Sequence, residues 1–207
     1  MLISRKHHFI FIHIYKNAGV SIKTALKPFV LTRYQWLTIY TLRKFKIIAP
    51  FDPQPFHAHI KASEVIDLIG VDAFNSFFSF AFVRNPWDWQ VSLYKYAQKV
   101  TDHYQHDLVI KLGSFDEYIR WRCSEEVRYQ KDFIYSSDNK LLVNFVGKLE
   151  NIDADFEKIC RHIGITAALP KLNVSNTIPY QNYYNDETKK LVEKTFQPDI
   201  ELFKYVF

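Results

Sequence analysis

The chain has 207 residues, the length of one domain that holds a full β-sheet with helices on both faces. Hydrophobic residues make up 48% of it and glycine only 5 residues, which excludes a disordered or loop-dominated chain. The formal charge of +5 favours polyanionic partners in general, and Cys123 and Cys160 lack metal-ligand spacing. We expect a single domain over residues 1–207.

The first strand is predicted over residues 8–14, where aromatic and β-branched side chains form an apolar run, HFIFIHI. This run is too short for a signal peptide or a membrane span. The loop YKNAGVS follows, and residues 22–26 predict a helix that Pro28 limits. A strand, a glycine-containing turn and a helix form the arrangement of a phosphate-binding βα unit.

Strands and helices alternate along the rest of the chain. The pattern predicts a helix over residues 36–48, an extended proline-containing segment over 50–55, a strand over 77–83 and a helix over 86–99. Further predicted elements are helices over 63–69 with Ser63 as N-cap, 115–121, 152–163 and 186–196, and a strand over 140–148. This alternation predicts an α/β domain with a mainly parallel sheet.

The loop after the first predicted strand has the residue types that hold an anion. Lys16 supplies positive charge, Gly19 permits close approach of the backbone, and Ser21 supplies a short hydroxyl beside the helix amides. The lysine precedes the glycine and the pattern GxxxxGK[ST] is absent, which disfavours an ordinary ATPase.

The turn after the strand predicted over 77–83 is a second candidate phosphate site. Arg84 has a guanidinium suited to bidentate phosphate binding, and Ser92 lies two helical turns further along. Arg84 could instead form a structural ion pair with Asp88, so the residues alone leave both roles open.

These two motifs resemble those of the carbohydrate sulfotransferases. The segment FIHIYKNAGVSI is similar to that family's 5′-phosphosulfate-binding loop, usually close to HIPKTAGTS, and FVRNPWDWQVSLY is similar to its 3′-phosphate motif, commonly FVRNPYDRLVSAY. The stretches at 146–151, 172–175 and 199–205 resemble the family's later segments, so the resemblance spans nearly the whole chain.

The resemblance implies a P-loop NTPase-like fold with three layers, α/β/α, and a mainly parallel sheet. It also implies the donor 3′-phosphoadenosine 5′-phosphosulfate (PAPS), from which a sulfuryl group passes to a hydroxyl by in-line displacement without a metal. The donor-binding residues it assigns are Lys16, Asn17, Ala18, Gly19, Val20, Ser21, Ile22, Arg84 and Ser92. Tyr15, Asn17 and Val20 depart from the usual loop, which has a proline and two threonines at these positions.

Sulfuryl transfer requires a base for the hydroxyl, positive charge at the sulfonate and stabilisation of the departing phosphate. The resemblance assigns the stabilisation of the bridging oxygen and the sulfonate to Lys16. The stretch FHAHI resembles FHGHV of the uronyl 2-O-sulfotransferase branch, in which the second histidine is the base; here that residue is His59. Other branches use a glutamate, so Glu64 is the alternative base.

Several other interpretations remain open. His57 and His59, with His13, could form part of a zinc site, but no cysteine or acidic residue has suitable spacing and we expect no metal. A catalytically inactive nucleotide- or glycan-binding module is one alternative function. A small-molecule kinase on the same fold is another, although neither a magnesium-binding acid nor a Walker lysine is apparent.

The expected acceptor is a hydroxyl-bearing saccharide or glycan, and no nucleic-acid partner is expected. The sparse cysteines and the absence of an apolar span predict a soluble cytoplasmic enzyme of bacterial or viral origin. The sequence leaves the acceptor, the sulfation position and the oligomeric state undetermined.

Overall fold

The structure is a computed structural model that describes residues 1–31, 33–45, 47, 57–170 and 178–207. The extended segment predicted over 50–55 and the family-like stretch at 172–175 lie outside the described residues. The chain divides into two compact units, the first made of Met1–Phe82 and Phe133–Asn173 and the second of Val83–Asp132 and Val174–Phe207. A single domain over 1–207 therefore stays a prediction.

Four strands form one sheet in the order β1 (Leu2–Ser4), β2 (Phe9–Ile12), β3 (Phe78–Val83) and β4 (Phe145–Lys148). β1 pairs antiparallel with β2, and β2 pairs parallel with β3. The amide of Asn144 donates to the carbonyl of Ser79 at 2.8 Å, and Gly147 packs against the ring of Phe82, so β4 runs in the same direction as β3. The predicted α/β fold with a mainly parallel sheet is confirmed.

The helices occupy most of the remaining described chain. In chain order they are α1 (Gly19–Leu26), α2 (Arg33–Lys44), α3 (Ala62–Ile69), α4 (Val71–Asn75), α5 (Pro86–Lys99), α6 (His106–Leu112), α7 (Phe115–Ser124), α8 (Ile152–His162), α9 (Asp186–Thr195) and α10 (Gln197–Phe203). Within the described ranges, none of them has the length and apolar character that crossing a bilayer requires.

The core of the first unit is rich in phenylalanine. Residues two apart on a strand point to the same face of the sheet. Phe9 and Phe11 of β2 therefore share a face, and they pack there with Phe80 and Phe82 of β3. The rings of Phe11 and Phe80 stack with their centroids 5.4 Å apart. Ile22 and Leu26 of α1 and Phe156 and Ile159 of α8 complete this cluster. Burial of each such side chain contributes about 1.5–3 kcal/mol, which fixes the β2–α1 connection on the sheet.

The second unit is organised around the start of α5. Pro86 stands at its first position, and the side chain of Asn85 accepts a hydrogen bond from the amide of Trp87. The buried indole of Trp87 donates to the carbonyl of Lys189 at 3.1 Å, and the hydroxyl of Tyr184 donates to the Trp87 carbonyl at 2.8 Å. These bonds fix the turn that carries Arg84.

Candidate functional site

The loop between β2 and α1 has an unusual backbone. Lys16 and Ala18 adopt positive φ angles of 63° and 53°, a region that residues other than glycine seldom enter. α1 begins directly after Ala18, at Gly19, where the first amides of a helix have no partner within the helix itself. Strained backbone of this kind concentrates at ligand-binding sites, and helix amides favour an anion.

The side chains of the predicted donor-binding loop have different surroundings. Asn17 is 1% exposed and donates from Nδ2 to the carbonyl of Phe82 at 2.8 Å, so it ties the loop to the end of β3. Val20 is 52% exposed, and the buried side chain of Ile22 belongs to the core. The amide of Ile22 donates to the carbonyl of Ala18. The loop therefore offers an anion mainly its early amides, Lys16 and the hydroxyl of Ser21.

The ring of His13, which directly follows β2, lies against this loop. A Cβ atom added at Gly19 would stand 1.6 Å from Nε2 of His13, so only glycine fits beneath the imidazole. The ring of His59 lies next to that of His13, with 4.4 Å between the centroids. The ring of His13 thus lies between the predicted base, His59, and the start of α1, within the first unit.

A single hydrogen bond sets the tautomer of His59. Its Nδ1 lies 3.0 Å from the carbonyl oxygen of His13. Because a carbonyl oxygen only accepts, Nδ1 carries the hydrogen in the neutral ring and Nε2 keeps its lone pair. Burial lowers the pKa of His59, which favours this neutral form. The geometry is that of an imidazole able to accept a proton at Nε2.

Glu64, the alternative base, and His57, one of the histidines considered for a zinc site, have different surroundings from His59. Glu64 is exposed at the start of α3, where its Oε2 accepts the amide of Lys61 at 2.7 Å, so it caps the helix. The N-cap is Lys61, and the prediction of Ser63 as N-cap is wrong because the helix begins one residue earlier, at Ala62. His57 is exposed, and the described part of the chain contains no group of three potential metal-ligating side chains.

The second unit contains a cavity of about 230 Å³ at the start of α5. It brings together Arg84 and Ser92, the two residues of the second predicted motif. Nε and Nη2 of Arg84 each donate to one carboxylate oxygen of Asp88 at 2.7 Å, so the ion pair that the sequence left open is present. The described lining consists of Arg84, Asp88, Val91, Ser92, Lys95, Ile178, Pro179 and Tyr180.

Gln130 holds the backbone of Arg84, and Asp199 holds Gln130; both residues are buried, and the sequence motifs reveal neither. The side-chain carbonyl of Gln130 accepts a hydrogen bond from the Arg84 amide at 2.9 Å. The side-chain nitrogen of Gln130, Nε2, donates to the Arg84 carbonyl at 2.8 Å. The carboxylate of Asp199 in turn accepts the amides of Gln130 and Lys131. Burial raises the pKa of Asp199 to about 7. Only the fold brings these residues together, since they lie far apart in the sequence.

The comparisons with known proteins agree with this geometry. The sequence profile of the Sulfotransferase family matches residues 1–206. The chain is also similar to an uncharacterized protein of Archaeoglobus fulgidus, with 26% identity over 102 residues that cover 49% of this chain and 79% of that protein. A match over essentially the whole chain shows the family. The chain belongs to the sulfotransferase family and is a sulfotransferase enzyme.

Proposed function

We propose that this sulfotransferase moves a sulfuryl group from PAPS to a hydroxyl of a carbohydrate by in-line displacement. The observation that carries the proposal is that two features lie close together in the first unit, a turn suited to an anion and a histidine suited to act as a base. An anion-binding turn with left-handed Lys16 lies beside Gly19, and the ring of His13 joins this turn to His59. A departing 5′-phosphate, whose charge must be stabilised, and an acceptor hydroxyl, which must lose its proton, require such a pair of features.

His59 is the proposed base. Its Nδ1–H is held by the His13 carbonyl, so the imidazole is oriented and Nε2 is the atom that takes the proton from the acceptor hydroxyl. The lowered pKa of His59 keeps the ring neutral near pH 7. Glu64 is a weaker candidate because its carboxylate already accepts the Lys61 amide as a helix cap.

Lys16 and the first amides of α1 are proposed to hold the 5′-phosphosulfate. Negative charge develops on the bridging oxygen as the S–O bond breaks, and a lysine ammonium beside helix amides stabilises that charge. Ser21, 7% exposed, contributes a hydroxyl at the same helix end. Val20 contributes its backbone, since its side chain is exposed where the related loops usually carry a threonine.

The cavity of the second unit is proposed to bind the 3′-phosphate. Arg84 supplies the guanidinium and Ser92 the hydroxyl, and both line the cavity. Asp88 holds the guanidinium in a fixed orientation before the phosphate arrives. A fixed guanidinium loses little conformational entropy on binding, which favours recognition of this phosphate.

The proposal is tested by measuring release of 3′-phosphoadenosine 5′-phosphate (PAP) from PAPS with a panel of saccharides that includes polymers containing uronic acid. His59→Ala should lower kcat by about 10²- to 10⁴-fold, the usual value of a general base. His57→Ala is the matched control, because that exposed histidine is two residues away, and it should stay within about 3-fold of wild type. Full activity in His59→Ala would refute the assignment of the base.

A PAP binding measurement beside this turnover assay tests the chemistry as a whole. Tight PAP binding without PAPS turnover on any acceptor would contradict the proposal and favour an inactive binding module instead.

A further inference from the structure

Lys95 lines the same cavity as Arg84 and Ser92, although it is not part of the motif that resembles the family. It lies three residues after Ser92 on α5, and residues at this spacing share a helix face. Its side chain is half-buried rather than extended into solvent. The cavity therefore contains a second cation that the motif does not predict.

The charges of the described lining show what this second cation adds. Arg84 and Asp88 form a two-bond ion pair, so their formal charges cancel. No carboxylate among the described residues forms an ion pair with Lys95, and the other described lining side chains are uncharged. Lys95 thus provides the net positive charge of the described cavity wall.

An aromatic ring holds the ammonium group of Lys95 close to the cavity. Its Nζ lies 4.7 Å from the centroid of the Tyr183 ring, within the range of a cation–π interaction. Tyr183 belongs to a short helical turn, Tyr180–Tyr183, whose first residue also lines the cavity. This contact restricts the lysine side chain without neutralising its charge.

We propose that Lys95 is a specificity-determining residue that binds the 3′-phosphate of the donor, and this inference rests on the proposed function. A phosphate monoester carries about −1.5 to −2 charges at pH 7. The neutral Arg84–Asp88 pair and the hydroxyl of Ser92 offer directed hydrogen bonds but no net charge. Lys95 supplies the charge, since its ammonium group has three donors and no acceptor.

The test compares the dissociation constants of PAP and of adenosine 5′-phosphate, which lacks the 3′-phosphate, by isothermal titration at fixed ionic strength. The variant is Lys95→Met, which keeps an unbranched side chain of nearly the same length and removes its charge. The matched control is Lys99→Met, because Lys99 is exposed at the end of the same helix and does not line the cavity.

Lys95→Met should weaken PAP binding by about 10- to 100-fold, the value of one charge-assisted hydrogen bond, and adenosine 5′-phosphate binding by less than about 2-fold. Lys99→Met should leave both within about 2-fold. The inference is overturned if Lys95→Met binds PAP as wild type does, or if it loses both nucleotides equally.

Binding of a third ligand, inorganic phosphate, distinguishes a failure of this inference from a failure of the proposed function. If wild type binds the two nucleotides equally, the proposed donor is wrong, and inorganic phosphate then decides the role of Lys95. Weaker phosphate binding in Lys95→Met than in wild type and Lys99→Met supports an anion site at Lys95. Equal phosphate binding by the three proteins, or none by wild type, overturns it.

Discussion

Acidification should destabilise the protein through His13, a residue that is 6% exposed and lies beside the loop between β2 and α1. Burial, and secondarily the neighbouring His59, lowers the pKa of His13 from 6.5 to about 2. The unfolded chain therefore binds a proton that the folded chain excludes, and stability is lost as the pH falls below 6.5. One pH unit corresponds to about 1.4 kcal/mol, so at pH 5.0 His13 alone removes about 2 kcal/mol of the free energy of unfolding.

The assay is urea denaturation of wild type and His13→Gln at pH 7.5 and pH 5.0. The glutamine cannot titrate, so the variant should lose about 2 kcal/mol less than wild type between these values, and contributions from groups distant from His13 cancel in the comparison. Equal losses in the two proteins would refute the reasoning. Histidine NMR signals of wild type provide a check independent of the variant's folding, because the His13 ring should not titrate between pH 7.5 and pH 5.0.

Three further predictions concern the loop, the arginine turn and the base. Gly19→Ala places a Cβ 1.6 Å from His13 Nε2, so urea denaturation should show a loss of about 1–3 kcal/mol; an unchanged midpoint would contradict that packing. Gln130→Leu leaves the Arg84 amide and carbonyl without their side-chain partners, and it should lower the free energy of unfolding by about 2–4 kcal/mol, whereas a loss below about 0.5 kcal/mol would argue against the clamp. The acid limb of kcat/KM should have its midpoint below pH 6.5 because burial lowers the pKa of His59, and a midpoint above that value would exclude His59 as the base.

The two strand–loop–helix segments of the predicted site, β2 to α1 and β3 to α5, could be predicted from local sequence. Each begins with a largely apolar run that forms a strand, β2 or β3. Pro86 then sets the start of α5, which matches the predicted range 86–99. α1 begins three residues earlier than predicted, because the loop turns through left-handed Lys16 and Ala18 instead of continuing as an extended segment.

Elements that depend on distant contacts could not be predicted in this way. The three-residue strand β1 is too short for a periodic signal and exists through its pairing with β2. The strand predicted over 140–148 is shortened to Phe145–Lys148, because Leu141 instead forms an isolated bridge with Tyr135. At the site, Gln130 and Arg84 are 46 positions apart, so the clamp has no local pattern. Lys95 did have one available signal, its spacing of three residues from Ser92.

The most direct test of the proposed donor is isothermal titration of PAP and of ATP into wild type and into Arg84→Ala. The account predicts that wild type binds PAP at least about 10-fold more tightly than ATP, and that the preference disappears in the variant because the guanidinium fork is lost. Absence of PAP binding, or equal affinity for ATP and PAP in wild type, would contradict PAPS as the donor.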